Sequence, residues 1–118
     1  MAPSVLIVDD HDGFRAFARD LLAGDGFDIA GEAADGESVL ERVAELEPDV
    51  VLLDVQLPGI DGIEVARRLA QLPVGPAVVL TSTRSATDYG NRLGAAAVAG
   101  FLSKEKLSGA ALRALVNG

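Results

Sequence analysis

Short apolar runs alternate along this chain with stretches whose apolar residues recur at three- and four-residue spacing. Val5-Leu6-Ile7-Val8, Val50-Val51-Leu52-Leu53 and Phe101-Leu102 are runs of the first kind. Bounded by turn signals, they read as strands buried on both faces of a parallel sheet. The pattern predicts strands over Ser4–Val8, Phe27–Glu32, Val50–Leu53, Ala77–Thr81 and Val98–Leu102. Between them, Phe14, Phe17, Ala18, Leu21 and Leu22 form one helical face, and Val39, Leu40, Val43 and Leu46 a second. Ile63, Ala66 and Leu69 repeat the pattern, as do Ala111, Leu112 and Leu115.

Punctuation agrees with this division. Asp61-Gly62-Ile63-Glu64 fits a capping box that satisfies the free amides of a helix start. Asp35-Gly36 opens the second helix, and Gly24 through Gly26 closes the first. Ser85–Leu93 is the weakest helical stretch, because Gly90 inside it costs about 1 kcal/mol relative to Ala. Five strands alternating with five helices imply right-handed crossovers and one doubly wound α/β domain over residues 1–118.

Composition narrows the function. The chain has 118 residues, of which 49% are hydrophobic, enough for one ordinary core. No run approaches the ~20 apolar residues of a membrane helix, and Met1-Ala2-Pro3-Ser4 carries no basic leader, so neither a membrane span nor a signal peptide is expected. The absence of cysteine excludes disulfides and thiolate metal sites, leaving the cytoplasm as the expected compartment. A net charge of −8 argues against nucleic-acid binding by this domain, which would need clustered Lys and Arg.

The acids are not all spread over the surface. Asp9 and Asp10 close the first apolar run, Asp54 closes the third, and Lys104 follows the last. In open α/β sheets the carboxyl ends of the strands border the ligand crevice. Three carboxylates and one ammonium gathered there invite a hard cation with oxygen ligands and a phosphoryl group. A strand-end Asp alone reads as a turn or cap; lining up all three with Lys104 is costly unless the cluster has a function.

With these motifs the chain resembles the receiver (CheY-like) domain of two-component response regulators. The resemblance runs through Val5–His11, Leu52–Gly62, Val78–Ser82 and Gly100–Lys104 and spans nearly the whole chain. The wording around Asp10-His11 and Gly100–Glu105 is most similar to the subfamily that often carries a helix-turn-helix output domain. The resemblance implies a flavodoxin-like sheet of order 2-1-3-4-5. It implies Asp54 as phosphoacceptor, supplied by a phosphohistidine on a sensor histidine kinase or phosphotransfer protein. Mg²⁺ would be held by Asp9, Asp10, Asp54 and the main-chain carbonyl of Gln56, with Lys104 pairing a phosphoryl oxygen. Such a domain assists its own phosphorylation but turns over no separate substrate.

For the family's switch hydroxyl, Ser82 is expected rather than Thr81. Ser82 lies 22 positions before Lys104, the usual spacing, and strand alternation is expected to turn Thr81 away from the site. Phe101 stands at the position of the switching aromatic, moving into space that Ser82 vacates. Gln56 and Arg84 flank the route of an attacking water and are expected to set the phosphoryl lifetime. Glu105 replaces a common proline, which puts the family's cis peptide in doubt, and His11 reads as a loop residue. The face from the fourth helix to the last is the expected switching and homodimer-pairing surface, although no feature of the sequence fixes dimerisation.

Other readings fit less well. Haloacid-dehalogenase-like phosphatases need a second acid two residues after the nucleophile, where this chain has Gln56. A flavin binder of the same topology needs a phosphate loop after Val8, where Asp9-Asp10 would repel the phosphate. A receiver acting only as a phosphorylation-independent interaction module remains the alternative.

Overall fold

The four apolar residues that end β1 (Ser4–Val8) are all buried, and so is every residue of β3 (Val50–Asp54). Neither strand has a solvent face, so both must lie inside a sheet covered on two sides. The computed structural model, which describes residues 2–83 and 98–117, has that arrangement. Its remaining strands are β2 (Asp28–Ala33), β4 (Ala77–Ser82) and β5 (Gly100–Ser103), forming one parallel sheet of order β2-β1-β3-β4-β5. Among the described residues, four α-helices join or follow them: α1 (Asp12–Gly24), α2 (Gly36–Leu46), α3 (Gly62–Ala70) and α4 (Gly109–Asn117). The stretch Ser85–Leu93 lies outside the described residues.

Alternation along the strands splits the core in two. Val5, Ile7, Val50, Leu52 and Val79 pack with Ala18 and Leu22 of α1 and Leu112 of α4. Leu6, Val8, Val51, Leu53, Val78 and Leu80 pack with Val39 and Val43 of α2 and with Ile63, Ala66 and Leu69 of α3. Each fully buried aliphatic side chain contributes about 1.5–3 kcal/mol, so both layers are needed to hold the sheet. One expected core residue differs: Phe17 is 54% exposed, because α1 turns the Ala18–Leu22 edge of its stripe inward.

The helix caps follow the local chemistry. Asp35 Oδ1 accepts from Ser38 N at 2.8 Å and Ser38 Oγ at 2.7 Å, and these bonds hold its carboxyl below the ordinary carboxylate range. Asp61 Oδ1 accepts from Glu64 N at 2.9 Å, while the Glu64 carboxylate lies against Arg67 and Arg68. Gly62 has a tighter constraint, since a Cβ there would fall 2.1 Å from the Asp54 carbonyl oxygen. The start of α3 is therefore seated directly on the end of β3.

Candidate functional site

In a sheet of order 2-1-3-4-5, the chain moves off in opposite directions after β1 and β3, opening a crevice beyond their carboxyl ends. Asp9 follows β1 and Asp54 ends β3, and the two are 0% and 2% exposed. Asp10 and His11 stand at the rim, exposed. Lys104 arrives from the end of β5 and lays its ammonium between the buried acids, 2.5 Å from Asp9 Oδ2 and 3.3 Å from Asp54 Oδ2. It also lies 4.7 Å from the Phe14 ring centroid, so its cationic head is held from the α1 side as well.

The charges do not balance. Among the described residues, one ammonium faces two buried carboxylates, with Asp10 close by. Burial pushes the Asp54 carboxyl up to about 6, and the Asp9 charge adds to the rise; Lys104 and the Gln56 main-chain N–H, which donates to Oδ1 at 3.2 Å, work against it. Burial also works to lower the Lys104 ammonium. Its short contact with Asp9 and the Asp54 charge outweigh that, leaving it above its ordinary value.

These residues fit a divalent cation. Donor atoms from Asp9, Asp10, His11 and Asp54 all lie within 4.8 Å of one another. Asp9 Oδ2 is buried and, despite the nearby Lys104, has no hydrogen bond of proper angle among the described residues. Three clustered carboxylates against a single ammonium carry an excess of negative charge that a hard cation would complete.

Other expected site residues are placed differently. Gln56 is exposed at the start of the β3–α3 loop. Ser82 is 1% exposed, and Thr81 is fully buried. Alternation does separate these two hydroxyls, but in the opposite sense from the expectation. Thr81 pairs in register with Asp54 and so shares its side of the sheet, whereas Ser82 follows Leu80 on the side of α2 and α3. Phe101 pairs with Leu80 and packs on that same core, so Ser82 and Phe101 share a side. Arg84 lies outside the described residues. No cis peptide occurs among the described residues, the bond after Lys104 included.

Two supports were not expected from sequence. The guanidinium of Arg15, on the second turn of α1, donates to the Asp9 carbonyl at 2.6 Å and to Glu32 Oε1 at 3.1 Å, and also contacts Asp12. It thereby ties the acid loop to the end of β2. Its spacing from Asp12 was visible in the sequence, but the reach to Asp9 and Glu32 depends on the packed sheet. The second is His11, whose Nδ1 lies 3.0 Å from Asp9 Oδ1 and 3.1 Å from Asp10 Oδ1.

A doubly wound five-stranded sheet with three acids and a lysine converging at its carboxyl edge defines the class of phosphorelay receiver domains. Residues 5–117 match the family model of the response regulator receiver domain, and the chain belongs to that family. It is similar to the response regulator GacA of Pseudomonas viridiflava, 41% identical over 101 residues that cover 85% of this chain and 47% of that protein. The DNA-binding transcriptional activator EvgA of Escherichia coli K12 is 33% identical over 103 residues, covering 87% and 50%. Among solved structures, the signal receiver domain of NarL from Mycobacterium tuberculosis superposes with a TM-score of 0.90 at 30% identity, covering 99% of this chain and 98% of that one. The chain spans about half the length of GacA and EvgA. No helix among the described residues is long and apolar enough to cross a membrane.

Proposed function

We propose that this domain is a phosphoacceptor switch in which Asp54 takes a phosphoryl group from a phosphohistidine of a histidine kinase or phosphotransfer protein. The observation that carries this reading is the burial of Asp54 beside Asp9 at the end of β3, with the Lys104 ammonium bridging the two carboxylates. A carboxylate oxygen of Asp54 attacks phosphorus, an O–P bond forms, and the P–N bond to the donor imidazole breaks. With its carboxyl at about 6, Asp54 is mostly ionised near pH 7 and available as the nucleophile. Lys104, 3.3 Å from Asp54 Oδ2, is positioned to neutralise charge on the acquired phosphoryl oxygens. Asp9, Asp10, Asp54 and the Gln56 carbonyl would hold Mg²⁺, which offsets the repulsion between a carboxylate nucleophile and an anionic phosphoryl donor.

The readout we assign to Ser82 and Phe101. Both lie on the side of α2 and α3, and Phe101 is in register with Leu80, two residues before Ser82. A charge-assisted hydrogen bond from Ser82 to the phosphoryl group would contribute about 1.5–3 kcal/mol, shifting a two-state equilibrium roughly ten- to a hundred-fold. Phe101 would carry that bias to the β5–α4 face, the proposed surface for pairing with a second copy. Gln56 and Arg84, flanking the path of water, would set the lifetime of the acyl phosphate. Because EvgA is a DNA-binding activator, we place this receiver in a cytoplasmic transcription regulator whose DNA contact is made outside this domain.

Incubation with acetyl phosphate and Mg²⁺ tests the reading. The expected result is a mass gain of one phosphoryl group in the native protein and none in Asp54→Ala. A gain that persists in Asp54→Ala would move the phosphoacceptor to another residue, and no gain from acetyl phosphate or from a phosphorylated kinase would favour phosphorylation-independent interaction.

A further inference from the structure

Both main-chain groups of Asp9 are held by the end of β2, one directly and one through Arg15. The Asp9 N–H donates to the Ala33 carbonyl at 3.1 Å. Its carbonyl accepts from Arg15 Nη1 at 2.6 Å, and Arg15 Nε donates to Glu32 Oε1 at 3.1 Å. The third nitrogen of the same guanidinium rests on Asp12. With the Arg15 side chain only 15% exposed, its planar fork is engaged on every arm within the protein. Glu32 is held in turn by Arg19, one helical turn further along α1, with Nη2 at 2.7 Å.

β2 is irregular in a way that makes this contact. Val5 pairs with Ile29 but Leu6 pairs with Gly31, so Ala30 is an extra residue in the strand. The bulge sets Glu32 opposite Ile7, in the layer that packs on α1, and Ala33 opposite Val8, in the layer of α2 and α3. In unbroken register Glu32 would stand opposite Val8 and face away from Arg15. Bulges re-aim side chains beside functional sites. This one aims a carboxylate at the guanidinium that holds the Asp9 carbonyl.

We infer that Arg15, anchored by Glu32, is a positioning residue for phosphoryl transfer: it fixes the Asp9–Asp10 peptide, and with it the direction of both acidic side chains beside Asp54. The inference rests on the phosphoacceptor reading and adds to it a group that touches none of the reacting atoms. Transfer depends steeply on alignment, and a displacement of ~1 Å costs up to about 100-fold in rate. If Arg15 supplied only positive charge, lysine would replace it. A fork that must reach a carbonyl and a carboxylate together has no lysine equivalent.

The test is the limiting rate of Asp54 phosphorylation at saturating acetyl phosphate and Mg²⁺. Arg15→Met, Arg15→Lys and Glu32→Leu should each slow it ~10-fold or more. Glu32→Gln, whose side-chain carbonyl still accepts from Arg15 Nε, should stay within about 3-fold of native. The double variant Arg15→Met/Glu32→Leu should be no slower than the slower single variant, because both break one linkage. Amide NMR gives a readout independent of turnover. The Asp10 N–H follows the Asp9 carbonyl, so its signal should shift in Glu32→Leu and return in Glu32→Gln. A native rate in Arg15→Met or in Arg15→Lys, additive losses in the double variant, or an Asp10 amide unmoved by Glu32→Leu would overturn the inference. If the native protein itself gains no phosphoryl group, the phosphoacceptor reading falls and the inference with it; a phosphorylated native protein with unslowed variants removes the positioning role alone.

Discussion

Asp49 and Asp54 bracket β3, one just before it and one at its end, yet the fold treats them in opposite ways. Asp49 is exposed and closes a clip with β1: Ser4 N donates to its Oδ2 at 2.9 Å and Ser4 Oγ at 3.3 Å, while Asp49 N donates to Ser4 Oγ at 3.0 Å. Asp54 is 2% exposed, crowded by Asp9, and left to share one ammonium with it. The same side chain is satisfied at the amino end of the sheet and frustrated at the carboxyl end. Gln56 N and Lys104 Nζ bond the Asp54 oxygens, but burying that carboxylate beside the Asp9 charge is still costly. The carboxyl end thus carries a cost that the amino end avoids, and a cation and a phosphoryl group are what would relieve it.

The largest test of this contrast removes the shared ammonium. Lys104→Met leaves Asp9 and Asp54 without their buried counterion and should cost about 3–5 kcal/mol in denaturant midpoint experiments at pH 7. Next is Gly62→Ala, whose Cβ would collide with the Asp54 carbonyl oxygen. Backbone cannot yield as a side chain does, so chemical unfolding should register a loss of about 3 kcal/mol together with weakened metal binding.

Asp54→Asn should have the opposite sign. The folded protein keeps the Asp54 proton up to about pH 6, whereas the unfolded chain releases it near the ordinary 3.8. The folded state therefore binds more protons in that window, and native stability falls as pH rises from about 4 to 6. In metal-free buffer Asp54→Asn should match the native protein below pH 4 and exceed it by up to about 3 kcal/mol at pH 7. Thermal melts across pH check this, and saturating divalent cation should stabilise the native protein and erase the difference. Smallest is Ser4→Ala, which breaks the satisfied clip and should cost about 1 kcal/mol, with no dependence on metal. An Asp54→Asn variant no more stable than native at pH 7 would dissolve the contrast between the two ends.

The strand ends were legible in the sequence because each short apolar run stops at a polar or charged residue, even though Asp9 and Asp54 there are still buried. That property put Asp9, Asp10, Asp54 and Lys104 at one edge before any coordinates. Boundaries moved by a residue or two: Phe27 stays in the turn after α1, its N–H bonded to the Leu22 carbonyl, and β5 begins at Gly100 rather than Val98. Thr81 and Ser82 were harder. Alternation says that adjacent residues face opposite sides, but only the register of β4 on β3 says which one shares the side of Asp54. The choice of Ser82 as switch hydroxyl now rests on its spacing from Lys104 and on the side it shares with Phe101. His11 and Arg15 were illegible for a related reason, since each acts across a loop whose path is set by contacts distant in sequence.

The most direct test of the central claim is to locate the phosphoryl group itself. After phosphorylation by acetyl phosphate or a cognate kinase, borohydride reduction converts an acyl phosphate to an alcohol that peptide mass spectrometry can place. The account predicts conversion at Asp54 alone, in step with phosphoryl incorporation. Conversion at Asp9 or Asp10, or a phosphoryl group retained on His11 with Asp54 untouched, would contradict it.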